Sequence, residues 1–219
     1  MQGIVLACGN PQLPMITKRD DVHVVPARPG KDHVDPHLDA ERLVVVGTDA
    51  DLAAVGVRLL RKEKLGSVAL GFVPVGQSAV AALWGLSTNP ARALDIALNG
   101  DVDPVPFVRD DVGGVLMGLG VLSPVRGVGY SDADNVLRGQ ASRIECTPDT
   151  EGGLGLTIRI VNKRLLGSRV RESKPRAFQL GCLPTTAVLD GHKHPRSVDK
   201  WTWYRHTGPE AGSRSLKMA

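Results

Sequence analysis

Residues 43–60, LVVVGTDADLAAVGVRLL, decide how this chain is read. Leu43, Val44, Val45 and Val46 form an apolar, mostly β-branched run, the mark of a strand buried on both faces. Gly47, Thr48 and Asp49 follow as a tight polar turn. Leu52, Val55, Leu59 and Leu60 then recur at helical spacing. The sum is strand, turn, helix. In an open α/β sheet that turn lies at the carboxyl end of the strand, where ligands bind. The helix N-terminus there offers backbone N–H groups to an anion.

A second stretch has the same form. Residues 68–73 (VALGFV) read as a strand, residues 74–78 (PVGQS) as a turn and residues 79–86 as a short helix. Next, Asn89 is a sound N-cap with Pro90 at the first helical position. Ala93, Leu94, Ala97 and Leu98 supply an apolar face, and Gly100 closes the helix. Upstream, residues 3–8 (GIVLAC) and 22–26 (VHVVP) are the expected first and second strands. The link between these two is too short for a full helix. His33 and His37 flank Asp35 in the polar, Pro-containing link that follows, which reads as a solvated loop rather than a metal site.

These turns resemble those of the diacylglycerol kinase catalytic-domain family, soluble lipid kinases with an NAD kinase-like fold. The family's first turn reads GGDGT-L-N-E-V; residues 47–55 here read GTDADLAAV, keeping Gly47, Asp49, Leu52 and Val55. Its second turn reads P-x-GTGNDFA; residues 74–82 read PVGQSAVAA, keeping Pro74, Gly76 and Ala82. The family's first strand ends in N-P-x-S-G, of which Asn10 and Pro11 are matched. The likeness spans about residues 40–108 and weakens beyond them.

The resemblance implies ATP- and Mg-dependent transfer of a phosphoryl group to a lipid hydroxyl. Such transfer needs backbone N–H groups around the phosphates, a metal to offset charge and a base to take the hydroxyl proton. On this implication Asn10, Gly47, Thr48, Asp49, Gly76, Gln77 and Ser78 are the nucleotide-binding positions. The family keeps its base in a D-G-E motif after a strand of its second domain, and by context that place falls on Asn162, in the turn expected after residues 156–161. Asparagine cannot take a proton. Thr48 and Ala50 replace glycines of the first turn, and Gln77, Ser78, Ala79 and Val80 replace Thr, Gly, Asn and Asp of the second. Asp51 brings a second carboxylate that repels phosphate unless a cation lies between. Asp49 stands as either a retained catalytic acid or an ordinary capping group. Two functions therefore follow: a divergent lipid kinase with weakened or lost catalysis, or a non-catalytic relative that binds a protein, lipid or nucleotide. Family likeness favours the first, residue chemistry the second.

From about residue 101 the pattern changes to short strand-like runs at 105–108, 115–122, 142–147, 156–161, 177–180 and 186–189, divided by Gly, Pro and Asp. The expectation is an α/β domain with a parallel sheet (residues 1–101) followed by a β-rich, sandwich-like domain (residues 102–219). Asp190-Gly191 reads as a hairpin turn. Trp201 and Trp203 alternate with polar residues and share one face of a strand; they either cover the β core or form a docking platform.

Charge is unevenly spread. Residues 1–155 hold 14 Lys/Arg against 19 Asp/Glu, a net −5, and residues 156–219 hold 13 against 4, a net +9. The basic half is either a solvated face or a surface for anionic lipid, and no nucleic acid is expected. Cys8, Cys146 and Cys182 have neither zinc nor disulfide spacing, which fits a reducing cytoplasm with at most peripheral membrane contact. No apolar run is long enough to span a bilayer. The oligomeric state stays open.

Overall fold

The structure, a computed structural model, describes residues 3–16, 19–152, 155–163, 165–207 and 215–218. Contacts divide it into two units: Met1–Val105 with Thr207–Ala219, and Pro106–His206. The first unit thus runs past the expected limit at residue 101 and takes back the C-terminal residues.

The first unit starts with β1 (Ile4–Cys8) and β2 (Val22–Val25). A single helical turn, α1 (Lys31–Val34), and a 3₁₀ turn (Asp35–His37) lead to β3 (Arg42–Gly47). The link thus has helical turns where a loop was expected. It is tied down by Asp35, whose carboxylate accepts from Arg58 at 2.8 Å and lies 3.3 Å from Lys62 Nζ. Then come α2 (Asp49–Arg61), β4 (Ala69–Pro74), α3 (Ala79–Trp84), α4 (Pro90–Asn99) and β5 (Asp103–Pro106). Strands β2, β1, β3 and β4 lie side by side and parallel. Val44, Val45 and Val46 are fully buried, as a strand covered on both faces must be. Val44 and Val46 pack with Val5, Val73, Ala93 and Ala97 in one cluster.

Helix α4 lies so close to β4 that Gly71 has no room for a side chain. A Cβ there would sit 2.5 Å from the Ala97 carbonyl oxygen and 2.7 Å from the Ala97 Cβ. Gly71→Ala should therefore push α4 off the sheet and cost about 1–3 kcal/mol, as overpacking does. Urea unfolding of the variant would measure it, and an unchanged midpoint would contradict the close approach.

The second unit is all β: β6 (Val108–Asp110), β7 (Val115–Leu116), β8 (Gly120–Ser123), β9 (Val125–Ser131), β10 (Asp134–Ala141), β11 (Arg143–Pro148), β12 (Leu156–Lys163), β13 (Ser168–Ser173), β14 (Ala177–Leu189), β15 (His192–Lys193) and β16 (Val198–Arg205). Strand β14 joins two expected runs into one. Its first half pairs with β9 and β16 and its second half with β8. The register against β16 shifts between Gly181 and Thr185, so one strand serves two sheet halves, as at the corner of a sandwich. Both halves turn side chains into one core: Leu122, Ile144, Ile158 and Ile160 from one, Val125, Leu137, Phe178 and Trp203 from the other. Trp201 and Trp203 are 1% and 0% exposed, so they are core and not a platform. Asp190 and Gly191 form the two-residue β14–β15 turn, with φ of 48° and 78° as such turns require. The last strand, β17 (Ser215–Met218), returns to the first unit and lies parallel to β4, between β4 and β5.

Candidate functional site: the turns after β3 and β4

Because β3 and β4 are parallel neighbours, the turns that follow them meet at one edge of the sheet. Gly47 pairs with Pro74, and the Val75 N–H donates to the Gly47 carbonyl at 2.8 Å. Asn10, two residues past β1, lies at the same edge; it is exposed, with φ of 57°. Gly76 also has positive φ, 81°, which glycine adopts at no steric cost. Gln77 is exposed at the tip of its turn.

Helix α2 begins at Asp49, three residues before its first apolar position, Leu52, because Thr48 caps it. The Thr48 hydroxyl accepts from the Asp51 N–H at 3.4 Å, and the Asp51 carboxylate accepts from the Thr48 N–H at 2.7 Å. This is a reciprocal capping box, with Asp in the place of the usual Glu. The same carboxylate also accepts from the Thr48 hydroxyl at 2.8 Å and from the Arg28 N–H at 2.6 Å. Asp51 is 3% exposed. Expected as a second charge against phosphate, it folds back under the turn and meets three donors of the chain itself. Gly47 is small for the same reason, since a Cβ there would meet the Asp51 carboxylate oxygen at 2.6 Å.

Asp49 reaches across to the second turn. Its Oδ1 accepts from the Ser78 hydroxyl, and its Oδ2 accepts from the N–H groups of Ala79 at 2.7 Å and Val80 at 3.2 Å. Ser78 in turn accepts from the Ala81 N–H at 2.8 Å and caps α3. The first N–H groups of α3 are therefore met by two side chains of the chain itself. Asp49 is a cap, but of the neighbouring helix rather than of its own. Two carboxylates and two hydroxyls are thus bonded within the turns, among them three of the groups expected at the nucleotide, those of Thr48, Asp49 and Ser78. Nearby, burial and then Asp51 push the Cys8 thiol up to about 12, so it stays protonated and is no nucleophile near neutral pH.

Asn162 lies in the other unit. The ladder of β12 with β13 runs on through Asn162 opposite Arg169 and Lys163 opposite Ser168. Asn162 is thus inside a strand, not in the turn expected after residue 161, because pairing continues to the tip. It borders a depression of about 510 Å³ with Arg126, Lys163 and Leu183. Arg164, the next position of that expected turn, lies outside the described residues. Asp190 holds a turn together as well: its carboxylate accepts from the N–H groups of Met117, Gly118 and Leu119 at 2.8, 2.8 and 3.1 Å. Among the described residues, no three His, Cys, Asp or Glu side chains come together as a metal-binding group. His37 instead stacks on His23, ring centroids 4.2 Å apart. No described helix is long and apolar enough to cross a membrane.

Solved structures share this fold over nearly the whole chain. A diacylglycerol kinase of Bacillus anthracis str. Sterne superposes with a TM-score of 0.71 at 12% identity, covering 99% of this chain and 96% of its own. An NAD kinase of Archaeoglobus fulgidus, solved in complex with ATP, gives 0.60 at 11% identity, covering 99% and 93%. A yeast NADH kinase complexed with NADH gives 0.55 at 11% identity, covering 100% and 83%. No protein-family model and no curated protein matches the chain. At such identities the likeness is one of fold: a two-part architecture shared with diacylglycerol kinases and NAD kinases.

Proposed function

Given a chain built on the fold of the diacylglycerol and NAD kinases, we propose that it is a non-catalytic relative, acting by binding and not by phosphoryl transfer. The observation that carries this reading is Asp49. Its carboxylate sits on the N-terminus of α3, where an anionic ligand would otherwise take the N–H groups. A triphosphate seated there would have to displace a buried charge of its own sign. The Thr48 and Ser78 hydroxyls already donate to Asp51 and Asp49. Both oxygens of Asp49 are engaged too, as is Asp51 by three donors. These residues do not fit ATP with magnesium. Asn162 adds to the reading, since no base stands at the position that the resemblance assigns to one.

Titration calorimetry with ATP and magnesium tests this directly. No saturable heat is expected at millimolar nucleotide, and no labelled phosphate should pass from ATP to a panel of lipids. Saturable binding, or transfer by the natural chain, would restore the kinase reading.

A further inference from the structure

The hairpin formed by β12 and β13 carries the most exposed apolar side chains described in the molecule. Leu165 and Leu166 are 101% and 93% exposed, at the tip beyond the last pair, Lys163 with Ser168. No described residue of the second unit covers them. Lone exposed leucines are common, but two adjacent ones with full exposure at a hairpin tip are costly to keep in water. Leu183, 60% exposed, borders the same depression as Lys163 and so stands beside the tip end of the hairpin.

The charges around this tip are mainly basic. Residues 162–173, NKRLLGSRVRES, hold four basic residues and one acid. Lys163, Arg169 and Arg171 are exposed. The acid, Glu172, has Arg159 at 3.8 Å. Arg126, also exposed, lines the depression with Lys163. Arg169 and Arg171 project to one face of β13 and Val170 to the other. An apolar tip with a collar of cations fits the boundary of a bilayer with anionic headgroups: leucines enter the acyl region while Lys and Arg meet the phosphates. A nucleic acid would use the collar but leave the leucines in water.

We propose that the β12–β13 hairpin docks the protein on anionic phospholipid membranes by inserting Leu165 and Leu166. The site uses none of the turns after β3 and β4, so it stands whether or not nucleotide binds.

The test is sedimentation with phosphatidylcholine vesicles, with and without phosphatidylglycerol. The natural chain should pellet with the anionic vesicles only. Leu165→Ser with Leu166→Ser should weaken partitioning on the order of ten-fold per leucine. Lys163→Glu with Arg169→Glu should weaken it by at least roughly five-fold per cation. Both pairs are exposed, so the melting temperature should not move, and that is checked in parallel. For insertion itself, Leu166→Cys in a Cys182→Ser background carries an environment-sensitive dye; Cys8 and Cys146 are buried. Its emission should shift to the blue on anionic vesicles. Unshifted emission, pelleting that survives loss of both leucines, equal pelleting with neutral vesicles, or binding to oligonucleotides but not to vesicles would each overturn the proposal.

Discussion

Replacing Asp49 with alanine is expected to destabilise the protein by about 2–4 kcal/mol, a large loss for one carboxylate. The change removes one anion but strands three donors: the Ser78 hydroxyl and the N–H groups of Ala79 and Val80. Asp49 is 7% exposed, so water can replace the carboxylate only in part. The two oxygens also join the start of α2 to the start of α3, so both turns should loosen together. Asp49→Asn keeps one acceptor and should lose less. Adding Ser78→Ala to Asp49→Ala should cost less than the two single effects combined, because the hydroxyl is already stranded. Urea unfolding of the four variants measures this. If Asp49→Ala unfolds at the natural midpoint, the carboxylate is not a structural clasp, and the case against nucleotide binding loses its main support.

The second large effect belongs to Trp203. Trp203→Ala should cost about 3–5 kcal/mol, the range for deleting a buried aromatic ring. The indole packs with Phe178 and Trp201, ring centroids 6.1 and 6.0 Å away. It also lies directly on Gly120, where a Cβ would come within 2.7 Å of the ring. Its Nε1 has no hydrogen-bond partner among the described residues, so the ring contributes as an apolar body. Trp203→Phe should therefore recover most of the loss. Tyr204, one residue on, is only part-buried and faces away; Tyr204→Ala is the control. Loss of a binding partner with unchanged stability in Trp203→Ala would revive the platform reading.

Much of this was legible in the sequence, for physical reasons. A run such as LVVVG is apolar at every position only when both faces are covered, and that implies a parallel strand between helices. Asn89-Pro90 and Gly100 bracket α4 because only certain residues suit helix ends. The Asp-Gly turn follows from the positive φ that a two-residue hairpin needs. Strands β9, β10 and β13 were not legible. VRGVGYS, DNVLRGQA and SRVRES lack clean alternation, and their extended state comes from the ladders of their neighbours. Nor was the unity of β14 visible, with Pro184 inside it; a strand that changes partners at a register shift tolerates the lost N–H.

At the candidate site the sequence by itself determined the residue types and the strand-turn-helix frame that holds them. It left Asp49 open between catalysis and capping, and it read Asp51 as a second charge set against phosphate. Only the tertiary structure decided both. Ser78 lies 29 residues from Asp49, and Arg28 lies 23 residues from Asp51. Whether a carboxylate meets its own chain or a ligand depends on which turns the sheet brings together. Here the β3–β4 ladder sets the two turns within hydrogen-bond reach, and a buried carboxylate takes the nearest donors because leaving it unpaired costs more than any alternative on hand.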